Sequence, residues 1–454
     1  MATNFSAGSG ARMTFTAALD AQKTKPLQWM IVFTCMLVLV AEGMDLQLLG
    51  VLAPKVIDAF GITRSTFGIA NSAALIGFGL GAFLGGLMGD RIGRRWTLVI
   101  SSILFSLATV GASFATDVWQ LGFWRLVSGL GFGAAYSNAL SMANEWLPVR
   151  WRPVAVSTLA VGTPLGGSIV AWFAPDLEAR YGWDGTFLIV GAATITVVIA
   201  VLLVLRDSPS FLMARGKQEQ AQKNARLVLD YEVDLEVERD AQETAGGPVI
   251  GLTHRSIWRL NIGISLAFAA ATMVAYGILS WGTTFLTSAN FTFEEASFAI
   301  WLAGISSMVG SVIVGLVVRQ FGSKVVMATL SVVMALWMFS IGWTIEGLPP
   351  VLDAGQKTFV IWLVGLSGAA FSASIAAMYV MMAFGYPQAC RAAGMGLGIL
   401  MSRFGAISAT GFGGALLDFG GDSTWPFFGV LVGVSLLVSA AAFVVDRHVP
   451  PLKG

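Results

Sequence analysis

Twelve apolar stretches, each close to the length a helix needs to cross a bilayer, dominate this chain. A helix rises about 1.5 Å per residue, so roughly twenty apolar residues span about 30 Å of hydrocarbon. Such stretches lie near 27–50, 67–89, 96–115, 119–146, 154–174 and 185–205, then near 257–287, 297–318, 324–344, 358–383, 392–416 and 425–446. Inside lipid every backbone polar group must be satisfied within its own segment, so the runs are expected to be helices. Composition agrees: 12% of 454 residues are charged, about half the share usual in soluble domains. The 53 glycines suit helices that approach closely in a membrane. A net charge of +1 gives no bulk field for nucleic acid. Cys35 and Cys390 lie in or beside apolar runs and are expected as small buried side chains, with no disulfide framework or zinc spacing. The polar first 26 residues lack an apolar stretch followed by a cleavage site, so the first run is expected to be a permanent span.

The runs fall into two sets of six. The expected division is a polar tail over 1–26, a six-helix bundle over 27–205, a hydrophilic linker over 206–256, a second bundle over 257–446 and a tail over 447–454. Of the 27 basic residues, Lys55, Arg64, Arg180 and Lys357 fall on one side of the membrane, Arg125 and Arg403 fall within spans, and all others lie on the side of the termini. That bias predicts cytoplasmic termini and a cytoplasmic linker, in a bacterial inner membrane. The halves also echo each other. Gly86-Leu-Met-Gly-Asp90-Arg91-Ile-Gly93-Arg94-Arg95 follows the second span, and Gly315-Leu-Val-Val-Arg319-Gln-Phe-Gly322-Ser-Lys324 follows the eighth. Leu147-Pro148 with Arg152 recurs as Tyr386-Pro387 with Arg391. Repeated halves of this kind build transporters with a site near the midplane, at the interface of the halves.

The Gly-Asp-Arg-Ile-Gly-Arg-Arg run at 89–95, between the second and third spans of a 6+6 chain, resembles the signature of the major facilitator superfamily. Glu42-Gly43-Met44-Asp45 in the first span resembles the acidic pair of its aromatic acid:H⁺ symporter family. Arg125 through Gly129, Gly131 and Gly133, then Asn138, Glu145, Pro148 and Arg150 or Arg152, is similar to that family's fourth span. Tyr276 with Trp281, and Arg391 through Gly394 to Arg403-Phe-Gly405, extend the resemblance over nearly the whole chain. It implies an all-α membrane protein of major facilitator fold, two six-helix bundles around a central cavity. Four positions depart from the family. Glu42 replaces an aspartate, Met44 an aromatic residue, Ser137 a proline and Arg319 an acidic residue.

Ionisable side chains at bilayer depth are costly and mark functional sites. Glu42 and Asp45 are three apart and share a helix face. Neighbouring carboxylates repel and burial favours the neutral acid, which suits a group that takes up and releases a proton. Asp45 is the first expectation for the coupling proton and Glu42 the second, since His254 and His448 lie at span edges. The alternative is that one carboxylate forms a permanent ion pair with a buried arginine. Arg125 and Arg403 offer planar forks that match a substrate carboxylate; they too could instead neutralise Asp45 or Glu42. Tyr136, Asn138, Tyr276, Trp281, Phe371, Ser374 and Tyr379 lie in spans that line the cavity in the superfamily, with helix packing as the other reading. Asp90, Arg91, Arg94, Glu145, Arg150, Arg152 and Arg391 are expected to gate the cytoplasmic side by ion pairs, or else to set topology alone.

The resemblance and these charges imply proton symport of a small aromatic carboxylate by a monomer, with protons and no other cofactor. Gly162-Thr163-Pro164-Leu165-Gly166-Gly167 partly resembles a signature of drug:H⁺ antiporters and points weakly to export. Asp207-Ser208-Pro209-Ser210 resembles a segment of sugar and organic-ion carriers. A membrane sensor of aromatic acids is the alternative outside transport. The sequence shows no phosphate loop, metal cluster or nucleophile–base pair, so no enzyme is expected.

Overall fold

A computed structural model describes residues 12–231, 233–237, 254–387 and 390–451. The first eleven residues of the expected tail, most of the second half of the linker and the last three residues lie outside that set. The N-terminal half contains α2 (Pro26–Val51), α3 (Ala53–Phe60), α4 (Arg64–Ile92), α5 (Arg94–Ala112), α6 (Val118–Trp146), α7 (Arg152–Ala160) and α8 (Gly162–Val204). The C-terminal half contains α11 (Trp258–Ser288), α12 (Phe293–Phe321), α13 (Ser323–Glu346), α14 (Ala354–Gly385), α15 (Arg391–Gly420) and α16 (Trp425–Val444). Continuous as it looks, α8 is two spans: Gly182, at φ 72° and ψ 177°, turns the chain between them. With α2–α3 and α7 with the start of α8 each read as one span, the described residues give twelve.

The helix ends follow from local chemistry. Thr63 and Asp117 accept hydrogen bonds from the first free N–H groups of α4 and α6. Thr292 with Glu295, and Asp353 with Gln356, form reciprocal caps on α12 and α14.

The sequence repeat is also a conformational repeat. Gly93 ends α4 at φ 100°, ψ 152°, and Gly322 ends α12 at φ 80°, ψ 154°. Only glycine adopts this region without strain. In the second repeated motif, Arg152 Nε donates to the Leu147 carbonyl at 3.2 Å and Arg391 Nε to the Tyr386 carbonyl at 3.3 Å. Each half thus bends its chain after the fourth helix with the same arginine latch.

A small layer covers the terminal end of the first half. It comprises β1 (Arg12–Thr14), α1 (Phe15–Asp20), α9 (Pro209–Ala214), α10 (Gln218–Ala225) and β2 (Asp234–Glu236), with β1 and β2 paired in parallel. Phe15 and Ala18 are buried, Phe15 packing edge-on against Trp146. Lys25 pairs with Asp230 at 2.7 Å.

The two halves meet at the end remote from the termini. There Gln47 Nε2 donates to the Leu279 carbonyl at 2.7 Å and Thr283 Oγ1 to the Gly50 carbonyl at 2.8 Å. Arg64 donates to Ser288 Oγ and the Ser65 N–H to Asp418, both at 2.8 Å. The Trp172 and Trp301 rings lie 5.0 Å apart across the seam between α8 and α12. Towards the terminal end, the charged residues after α4 and α6 bond within their own half. The structure is therefore sealed at the remote end by contacts between the halves.

Candidate substrate and proton site

Glu42 and Asp45 leave α2 on one face but reach different partners. Asp45 is fully buried inside the first half. Its Oδ2 pairs with Arg125 Nη1, Thr109 Oγ1 lies 2.7 Å from its Oδ1, and Ser128 Oγ lies 3.4 Å from Oδ2. Arg125, on α6, is 1% exposed and keeps Nε and Nη2 without hydrogen-bond partners among the described residues. This is the ion pair that the sequence left as an alternative. Its members cannot meet a ligand from the cavity in this conformation without a local rearrangement.

Glu42, 1% exposed, retains an Oε2 with no hydrogen-bond partner among the described residues. Across the interface stands Arg403 of α15, half-buried. Its guanidinium carbon lies 3.8 Å from the centroid of the Phe78 ring on α4. Tyr276, Tyr379, Tyr136 and Glu42 all lie within electrostatic reach of it. Among the described residues no carboxylate oxygen lies within 4 Å of Arg403, and its Nε is buried without an acceptor. Tyr379 packs edge-on against Phe268 at 5.0 Å yet is 37% exposed. For a side chain so close to the central arginine, that exposure is to the space between the halves.

Other expected cavity residues sit elsewhere. Asn138 Nδ2 donates to the Gly85 and Ala134 carbonyls, each at 2.8 Å, and so fastens α6 to α4. Trp281 is fully buried, donates to the Ala409 carbonyl at 3.1 Å and packs on Phe67; it belongs to the remote seal. Ser374 bonds to the Ala370 carbonyl within α14 at 3.0 Å. Phe371 is buried in the core of the second half. The segment 162–167 lies against α2, where an added Cβ on Gly166 would strike the Val40 carbonyl and one on Gly43 the Thr163 carbonyl. That close backbone approach accounts for its glycines without any role in export.

The expected gate separates into three groups. Arg94 bridges Asp90 and Glu145, at 2.8 Å to each, and Glu145 also accepts from Ser208 Oγ. The Asp207-Ser208 segment is thus built into this network. Burial pushes the Asp207 carboxyl up, against the pull of the Arg95 backbone and side chain. Arg150 donates instead to the Asp20 carbonyl at 2.9 Å and also to the Gln22 carbonyl, and Arg152 to Thr16 at 3.0 Å. These two hold the N-terminal layer. Arg391 latches its own loop, and Arg91 is exposed. Thr109 and Phe78 carried no signal in the sequence, where they are ordinary members of apolar runs.

The sequence profile described as Major Facilitator Superfamily matches residues 35–365. The chain belongs to that superfamily. It is a transport protein of many membrane passes and not an enzyme. It is 27% identical over 441 residues to a 4-hydroxybenzoate transporter of Pseudomonas aeruginosa, covering 96% of this chain and 95% of the relative. It is 27% identical over 443 residues to a gallate transporter of Pseudomonas putida, covering 95% and 94%. These relatives agree with the resemblance to aromatic-acid transporters. Among solved structures, the transporter is similar to the inward-open xylose transporter of E. coli, with a TM-score of 0.70, 18% identity and coverage of 94% and 97%. It is similar too to a bacterial homologue of the lysosomal transporter Spinster in an inward-facing conformation, with a TM-score of 0.69, 17% identity and coverage of 93% and 97%. Both likenesses concern the fold.

Proposed function

We propose that this transporter imports an aromatic carboxylate together with a proton by alternating access. The observation that carries this reading is Arg403: a permanent cation between the halves, within electrostatic reach of Tyr136, Tyr276 and Tyr379, with no carboxylate in ion-pair contact among the described residues. An unpaired charge in a low-dielectric site is unfavourable, and a planar anion supplied by the cargo would satisfy it. Tyr136, Tyr276 and Tyr379 offer ring faces and hydroxyls to an aromatic substrate. The relatives named for 4-hydroxybenzoate and gallate support the same class.

Proton coupling follows from competition. An ionised Glu42 and a substrate carboxylate both act on Arg403, so a proton on Glu42 removes the negative charge that would repel an incoming carboxylate there. Among the described residues, protonating Glu42 disrupts no hydrogen bond, whereas protonating Asp45 breaks its pair with Arg125. Glu42 is therefore assigned the coupling proton and Asp45 the role of fixing Arg125. The basic residues on the side of the termini support an inner-membrane protein with cytoplasmic termini, so the seal would lie on the periplasmic side, as an inward-facing conformation requires. The translocation path runs between two halves of one chain, as a monomeric transporter requires.

The test uses proteoliposomes. Glu42→Gln should still exchange labelled 4-hydroxybenzoate for unlabelled, but lose accumulation driven by an inward proton gradient. Unchanged accumulation would refute the role of Glu42. Depletion of right-side-out vesicles under the same gradient would establish export instead.

A further inference from the structure

We propose that Phe78 is a positioning residue that holds the Arg403 guanidinium in the orientation that receives a substrate carboxylate. This rests on the reading of Arg403 given above. The guanidinium lies over the Phe78 ring at 3.8 Å, a distance at which the negative ring face attracts a cation. Phe78 belongs to α4 of the first half and Arg403 to α15 of the second, so the contact crosses the interface where substrate must pass.

The ring is not free to follow the arginine. Phe78 is 2% exposed, and the Tyr136 ring packs against it at 5.7 Å. Its backbone lies so close to Gly133 of α6 that an added Cβ there would strike the Phe78 carbonyl. The arginine side chain, by contrast, is a long flexible stem, with no hydrogen bond recorded to its guanidinium among the described residues. Of the two partners, the ring is therefore the fixed one and sets the plane of the guanidinium.

That plane matters because arginine binds a carboxylate edge-on, through parallel in-plane N–H bonds. A ring on one face shields the cation from water there and leaves the in-plane donors available. Phe78 thus acts through Arg403 without any need to touch the cargo.

The contact can be weakened without changing its shape. Site-specific incorporation of 4-fluoro-, 3,5-difluoro- and 3,4,5-trifluorophenylalanine at position 78 withdraws charge progressively from the ring face. The purified full-length protein would be titrated with benzoate, 4-hydroxybenzoate and gallate, and its melting temperature followed in parallel. Binding should weaken stepwise with fluorination, by about tenfold across the series, while the melting temperature stays level. Phe78→Tyr, which keeps the ring face, should bind close to the parent, and Phe78→Leu should bind about tenfold more weakly. If the parent binds one of the acids but affinity is flat across the fluorinated series, the role of Phe78 is wrong and the substrate assignment stands. If the parent binds none of the three, both fall together.

Discussion

Removing one member of the Asp45–Arg125 pair leaves a buried charge without its partner, which typically costs about 3–5 kcal/mol. Arg125→Ala should therefore lower the melting temperature and yield sharply, because Asp45 is fully buried. The double variant Asp45→Asn/Arg125→Gln removes both charges and should recover much of the lost stability. Equal melting temperatures for the single and double variants would refute that recovery and the cost assigned to an unpaired Asp45. His448 gives a pH signature outside the membrane. Burial, aided by the Lys324 charge, pushes its imidazole below the ordinary 6.5. Its Nε2 donates to the Ala442 carbonyl at 2.9 Å, so its Nδ1 accepts from Ser323 Oγ at 3.1 Å. As pH falls through about 6.5, the unfolded chain takes up a proton that the folded chain refuses, so stability declines. Melting curves from about pH 7.5 to about pH 5 should slope more for the parent than for His448→Gln. The presence of these charged residues was readable in the sequence, since an ion at bilayer depth stands out. Their partners were not, because Thr109 and Phe78 are brought to them by helices distant in the chain.

Helices in this chain are placed by the loops between them as much as by their apolar faces. Gly93 holds a conformation closed to other residues, and an added Cβ would lie 2.6 Å from Asp207 Oδ1. Gly93→Ala should destabilise the purified protein by about 1–3 kcal/mol. Gly79→Ala is the control: it lies within α4, where an added Cβ meets nothing within 4 Å, and should be neutral or slightly stabilising. Comparable losses in both variants would refute a special requirement for glycine at the Gly93 turn, because alanine is the better helix former. The apolar runs announced the twelve spans well, because a bilayer-length run has few other uses. The turn at Gly182 inside α8 was legible only as the polar break between two runs. The N-terminal layer was not legible at all. Its strands are three residues long and more than two hundred positions apart, far below the length at which alternation shows.

Alternating access requires the remote seal to open once per cycle. Ser65 and Asp418 lie on opposite halves at that seal. A short thiol-specific crosslinker joining Ser65→Cys to Asp418→Cys should stop uptake, and reductive cleavage of the linker should restore it. The native Cys35 and Cys390 are buried, so the parent should be unaffected. Uptake that continues in the crosslinked protein would show that the halves do not part there. Fold class and the division into two repeated halves were set by the sequence alone, since bilayer length, charge asymmetry and repeated loops are one-dimensional properties. Which acid meets which base was decided only in three dimensions. Glu42 and Asp45 share a helix face, but the packing of α5 and α6 turns Asp45 towards Arg125 while the second half brings Arg403 opposite Glu42. Electrostatic partnership depends on a few ångströms across helix interfaces, and spacing along a single helix carries no such information.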